Sequence, residues 1–127
     1  MPVNLDTDQE VCMEKTQTLK TIWPPEILDL PQVPVPIAGV SGHTLRNSEK
    51  QIYFFRFEEG TNVPDHSHGA QWGYLVSGEM TLEVDGRTEL YQAGDVYHIP
   101  ANKKHRTVFS QESYVIDMAD ELDRYGQ

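Results

Sequence analysis

The chain has 127 residues, of which 38% are hydrophobic and 24% charged, the proportions of one soluble globular domain with one core. Twenty acidic residues against ten basic ones give a net charge of −10, which repels nucleic acid and anionic membranes. There is one cysteine, Cys12, and so no intrachain disulfide; Met1–Glu10 carries acids and no apolar run, and no stretch approaches the roughly 18 apolar residues of a membrane span. These features predict a cytoplasmic protein without nucleic-acid or membrane partners.

In chain order, residues 1–22 are polar and without period, which predicts a frayed or extended tail. Residues 23–36 hold Pro24, Pro25, Pro31, Pro34 and Pro36, interleaved with Trp23, Ile27, Leu28, Leu30, Val33 and Val35. Proline is excluded from helix interiors and sheet centres, so residues 1–36 read as a tail and an extended Pro-rich arm. Its apolar side chains need a surface to cover, on the arm's own barrel or on a partner subunit.

From residue 37 to 127 the text is all β. Val40–Arg46 and Gln51–Phe57 read as strands about the turn Asn47–Lys50. The second is apolar on both faces, as in a buried strand. Gly60 ends it. Trp72–Val76 follows, then the turn Ser77-Gly78. Glu79–Val84 and Thr88–Tyr91 flank Asp85-Gly86, a hairpin signal because a type I′ turn needs positive φ. Val96–Ile99, Arg106–Ser110 and Ser113–Met118 complete the strands, and Ala119–Arg124 reads as a short terminal helix. Short strands punctuated by glycine turns indicate a small sandwich or barrel.

The chemistry resides in His66, His68 and His105. Imidazole is the commonest protein ligand for divalent transition metals, and histidines at i and i+2 on a strand share a face. A distant third histidine closes such a site only if the fold returns it. The framing glycines match two motifs. The first runs Gly60, five residues, His66-Ser67-His68, two residues, Gln71, six residues, Gly78. The second runs Gly94, five residues, Pro100-Ala101-Asn102, two residues, His105. Together they resemble the cupin superfamily over about residues 40–118, and specifically a small single-domain cupin.

That resemblance implies a double-stranded β-helix, a jelly-roll barrel of two antiparallel sheets. It also implies one divalent transition metal ion (zinc, nickel, manganese, iron or cobalt) held by His66, His68, Gln71 and His105. Gln71 stands where the family has glutamate, and Asn102 where it has glycine. Asn102 can adopt the left-handed conformation the turn requires. Phe109 replaces the final asparagine, which is not a ligand. Four neutral ligands leave the metal nearly its full double charge, which suits Lewis-acid chemistry and an anionic substrate.

The favoured reading is a metal-dependent enzyme acting on a small sugar acid or other oxygenated acid by isomerisation, ring opening or lyase chemistry. The ligand set resembles that of small cupins that open unsaturated uronate rings. An iron- or nickel-dependent dioxygenase and a non-catalytic cupin binding a small molecule in its barrel are the alternatives. His98 or a tyrosine is the candidate proton carrier, although a packed core histidine also suits His98. Alternation puts Trp72 and Tyr74 opposite Gln71. Tyr53, Phe55 and Phe57 share one face. Arg46, Arg56 and Arg106 would clamp an anion if they pointed inward, Lys103-Lys104 reads as solvated, and His43 as an exposed strand residue. The family's habits and the arm predict a homodimer.

Overall fold

The structure is a computed structural model and describes residues 21–122 and residue 125. Residues 1–20, with the predicted tail, lie outside the described residues. Two local signals set the hairpins. Asn47 Oδ1 accepts from the backbone N–H groups of Glu49 and Lys50, both at 2.8 Å, and turns β1 (Val40–Arg46) into β2 (Gln51–Phe57). Asp85 and Gly86 take φ values of 51° and 77°, and turn β5 (Glu79–Val84) into β6 (Arg87–Gln92).

The remaining strands are β3 (Asn62–His66), β4 (Gln71–Ser77), β7 (Val96–Ile99), β8 (His105–Phe109) and β9 (Ser113–Ala119). They form one sheet of order β1-β2-β9-β4-β7 and a second of order β3-β8-β5-β6, with every pairing antiparallel. This is the jelly-roll barrel. Its core is filled by the inward residues of both sheets, among them Tyr53, Phe55, Phe57, Leu75, Met80, Ile99, Phe109 and Val115. Phe57 and Phe109 stack across the gap with ring centroids 3.9 Å apart.

Strand β3 is absent from the strands read in chain order, and it ends at His66, so His66 and His68 do not share a strand as their i, i+2 spacing suggests. Val63 is its one apolar residue before Pro64 and Asp65, so it carries no hydrophobic alternation. Proline is admitted because β3 is the edge strand of its sheet.

The arm departs from the extended form in one place. Pro25–Leu28 is a single helical turn, α1, with Pro25 at a first-turn position where its missing N–H is no loss. Beyond it the arm is extended and lies along the edge of β1 in its own barrel. Thr44 N donates to Pro31 O and Val33 N to Gly42 O, both at 2.9 Å. Val33 joins the core, and Trp23 packs edge-on against Phe54 and Tyr114. His43 is therefore not an exposed strand residue: it is buried beneath the arm, its Nδ1–H donating to Leu30 O at 3.0 Å.

The predicted terminal helix is also corrected. Ala119 is the last residue of β9, and residues 120–122 bend without helical bonding, while 123 and 124 lie outside the described residues. The backbone of Asp120 donates to Ala70 O instead, tying this segment to the loop after β3. No described helix is long and apolar enough to cross a membrane.

Candidate metal centre

His66 ends β3 and His105 begins β8, and the two are register partners across that pair. His68 lies beyond the strand, in the loop to β4, and Gln71 is the first residue of β4. Asn102, with φ at 63°, turns the other loop so that its N–H donates to His68 O at 2.8 Å. The two glycine-framed segments are thus joined by one backbone bond beside the histidines. The ring centroids of His66, His68 and His105 lie 4.2–5.0 Å apart, and one ligand atom from each falls within 4.8 Å of the others.

The ring nitrogens of these histidines are assigned by their partners. Nδ1 of His66 lies 2.8 Å from Pro64 O, that of His68 2.8 Å from Gly69 O, and that of His105 2.9 Å from Lys103 O. A carbonyl only accepts, so in the neutral ring each Nδ1 carries the hydrogen and each Nε2 a lone pair. Backbone acceptors that orient a ring this way are the usual support of a metal-ligating histidine. Three such lone pairs on one wall fit a divalent transition ion.

Beside the histidines, the inward residues Tyr53, Asp117, Gly73 and Tyr97 form one cross-strand row over β2, β9, β4 and β7. Gly73 leaves the space that the Tyr97 ring occupies: a Cβ there would lie 2.0 Å from Tyr97 Cζ. Tyr97 reaches across and donates its hydroxyl to Asp117 Oδ1 at 2.7 Å. Burial, followed by the adjacent Asp117 charge, pushes the Tyr97 phenol well above its usual range, so it stays protonated. The Gln71 side chain also hydrogen-bonds Tyr97. Because the phenolic hydrogen goes to Asp117, the Gln71 amide N–H is the donor in that contact. Gln71, Tyr97 and Asp117 line the same cavity as the three histidines.

The other candidates lie elsewhere. His98 is neither in the cavity nor in the core: it is exposed on the outer face, its ring stacked on Trp72 at 4.7 Å. Tyr97, its neighbour in β7, has the inward parity. Trp72 and Tyr74 point outward, opposite Gln71. None of the three arginines lines the cavity. Arg56 pairs with Glu112 and Arg106 with Glu83 on the surface, and Arg46 is exposed. Lys103 and Lys104 pair with Asp85 and Asp65 near solvent.

Asp117 escaped the sequence reading. Its one signal was an acid on the parity of Val115 and Ala119 in an apolar strand, a position that needs a buried partner.

Comparison with known proteins agrees with this architecture. The family model described as "Cupin domain" matches residues 53–116, just over half of the chain. No curated protein sequence matches. Among solved structures, an RmlC-like cupin from Shewanella frigidimarina is similar at 24% identity and TM-score 0.68, over 76% of this chain and 88% of its own. KdgF from Halomonas sp. is similar at 23% identity and TM-score 0.65, over 72% and 87%. The polyketide cyclase RemF from Streptomyces resistomycificus is similar at 20% identity and TM-score 0.64, over 80% and 79%. Such identities speak to the fold alone. With the family model spanning both glycine-framed segments and the barrel built as described, the chain belongs to the cupin family.

Proposed function

We propose that this cupin is a metal-dependent enzyme acting on a small sugar acid or other oxygenated acid, by isomerisation, ring opening or lyase chemistry. The observation that carries the reading is the pairing of three oriented Nε2 lone pairs with a buried carboxylate–phenol pair in one cavity. His66, His68 and His105 hold the ion. Gln71 completes the set through its carbonyl oxygen, since its amide N–H is turned to Tyr97. An ion in this neutral donor set supplies Lewis-acid polarisation of a carbonyl or hydroxyl.

Proton movement falls to Asp117 rather than to His98. Asp117 is a carboxylate in the cavity wall, whereas Tyr97 is held protonated and serves to orient it. Apolar walls from Phe55, Phe57 and Phe109 exclude water. The ring of Tyr125 packs edge-on against Tyr53 and Phe55 over the same cavity.

Elemental analysis of the purified protein, with a screen of unsaturated uronates and small keto acids, tests this. Each of His66→Ala, His68→Ala and His105→Ala should lower bound metal, and Asp117→Asn should retain metal while losing at least about 100-fold in turnover. Full metal occupancy in all three histidine variants would sink the site. Unchanged turnover in Asp117→Asn would remove Asp117 from the chemistry.

A further inference from the structure

One polar group in the cavity wall has no evident structural duty. The inward residues of β8 are His105, Thr107 and Phe109, and register sets Thr107 between Val63 of β3 and Leu82 of β5. Thr107 is therefore one pleat from His105, on the same face, with an apolar residue on either side. It is half-buried, and its hydroxyl has no hydrogen-bond partner among the described residues. Valine has nearly the same shape and would fill this place without bringing a hydroxyl, so packing gives no reason for a threonine.

Other donors of the wall are committed. The imidazole N–H groups of the three histidines go to backbone carbonyls, the Gln71 amide to Tyr97, and the Tyr97 hydroxyl to Asp117. Charge is scarcer still. Asp117 contributes a carboxylate, and no lysine or arginine among the described residues lines the cavity. The space is small, about 50 Å³, room for only a few water molecules.

We propose that this cavity selects a short monocarboxylic α-hydroxy or α-oxo acid with an apolar tail, and that Thr107 is the specificity residue, its hydroxyl donating to the carboxylate. The choice rests on His66, His68 and His105 holding an ion, as proposed above, and narrows the acids that reading allows. One carboxylate is balanced by the ion, and the Thr107 hydroxyl adds a charge-assisted bond. The α-oxygen is next to the carboxylate, so both can reach one ion while the tail points away. A second carboxylate would lie buried beside Asp117 with no cation to meet it. The several hydroxyls of a sugar acid would face Val63, Met80, Ile99 and Phe109, where they find no partner. A short alkyl tail suits those walls.

The test uses the full-length protein reconstituted with cobalt(II), whose visible absorption reports on ligands at the ion without any turnover. α-Hydroxybutyrate should change that spectrum saturably. Hydroxymalonate brings a second carboxylate and D-galacturonate brings extra hydroxyls, and each should bind at least about tenfold more weakly. Thr107→Val should weaken α-hydroxybutyrate about tenfold or more, with cobalt content and azide binding unchanged, and Thr107→Ser should restore most of the affinity. A merely structural role for Thr107 would shift cobalt content and azide binding as well. If Thr107→Val misfolds, the ranking of the three acids on the wild type needs no variant. The proposal is overturned, with the metal centre left standing, by a cobalt-loaded protein that ignores α-hydroxybutyrate or binds either other acid as tightly. Wild-type affinity in Thr107→Val overturns it too. A protein that takes up no cobalt overturns the metal-dependent reading itself, and this proposal with it.

Discussion

Gly73 shows how one missing side chain builds the site. It stands opposite both Asp117 and Tyr97 in the cross-strand row, and the tyrosine ring lies over it. In Gly73→Ala the new Cβ would meet Tyr97 Cζ at 2.0 Å, so the ring must leave and the Tyr97–Asp117 hydrogen bond is lost. Overpacking plus the lost Tyr97–Asp117 hydrogen bond should cost about 3 kcal/mol or more in urea unfolding. Tyr97→Phe keeps the ring and removes only the hydroxyl, and should cost about 1–3 kcal/mol. Equal losses in the two variants, or none in Gly73→Ala, would mean that Tyr97 does not depend on the glycine.

Among the elements, the loop before β8 decides whether the two histidine-bearing segments meet. Asn102 holds it in the left-handed region and donates its backbone N–H to His68 O. Asn102→Gly keeps both features and should leave stability within about 0.5 kcal/mol. Asn102→Val forces a β-branched residue into that conformation and should cost about 1–2 kcal/mol. It should also weaken metal binding, because His68 loses its tether. Metal titration of both variants beside thermal melts checks this; a normal affinity in Asn102→Val would show that the tether is dispensable. The arm teaches the same lesson at larger size. Its prolines forbid a long helix, yet they admit the single turn α1 and the extended run that covers the edge of β1.

For the whole molecule, a metal bound only by the folded state adds directly to stability. At a free concentration about 100 times its Kd it contributes about 2.7 kcal/mol. In a domain of this size that corresponds to roughly 8 °C or more in Tm. Protein dialysed against EDTA should melt lower by about that amount and recover on addition of a divalent transition ion. His105→Ala should show no such response. Calorimetry with and without chelator measures it, and an unchanged Tm in the wild type would argue that the histidines hold no ion.

Local sequence determined the hairpin turns, most strand boundaries and the two glycine-framed segments, because each rests on signals within a few residues. Asp85-Gly86 demands positive φ, Asn47 folds back on its own turn, and His66 and His68 are close neighbours in the chain. Only the tertiary structure decided which side of each strand faces inward. In β7 both Tyr97 and His98 suit a core, and alternation makes them exclusive without choosing between them. The sheet order chose, by placing Gly73 and Asp117 across from Tyr97 and Trp72 across from His98. The same holds for His43, buried by an arm eleven residues away at Gln32, and for β3, which has no alternation and is a strand because β8 pairs with it. Pairing between distant segments depends on how apolar surface is shared over the whole barrel, and no local pattern carries that information.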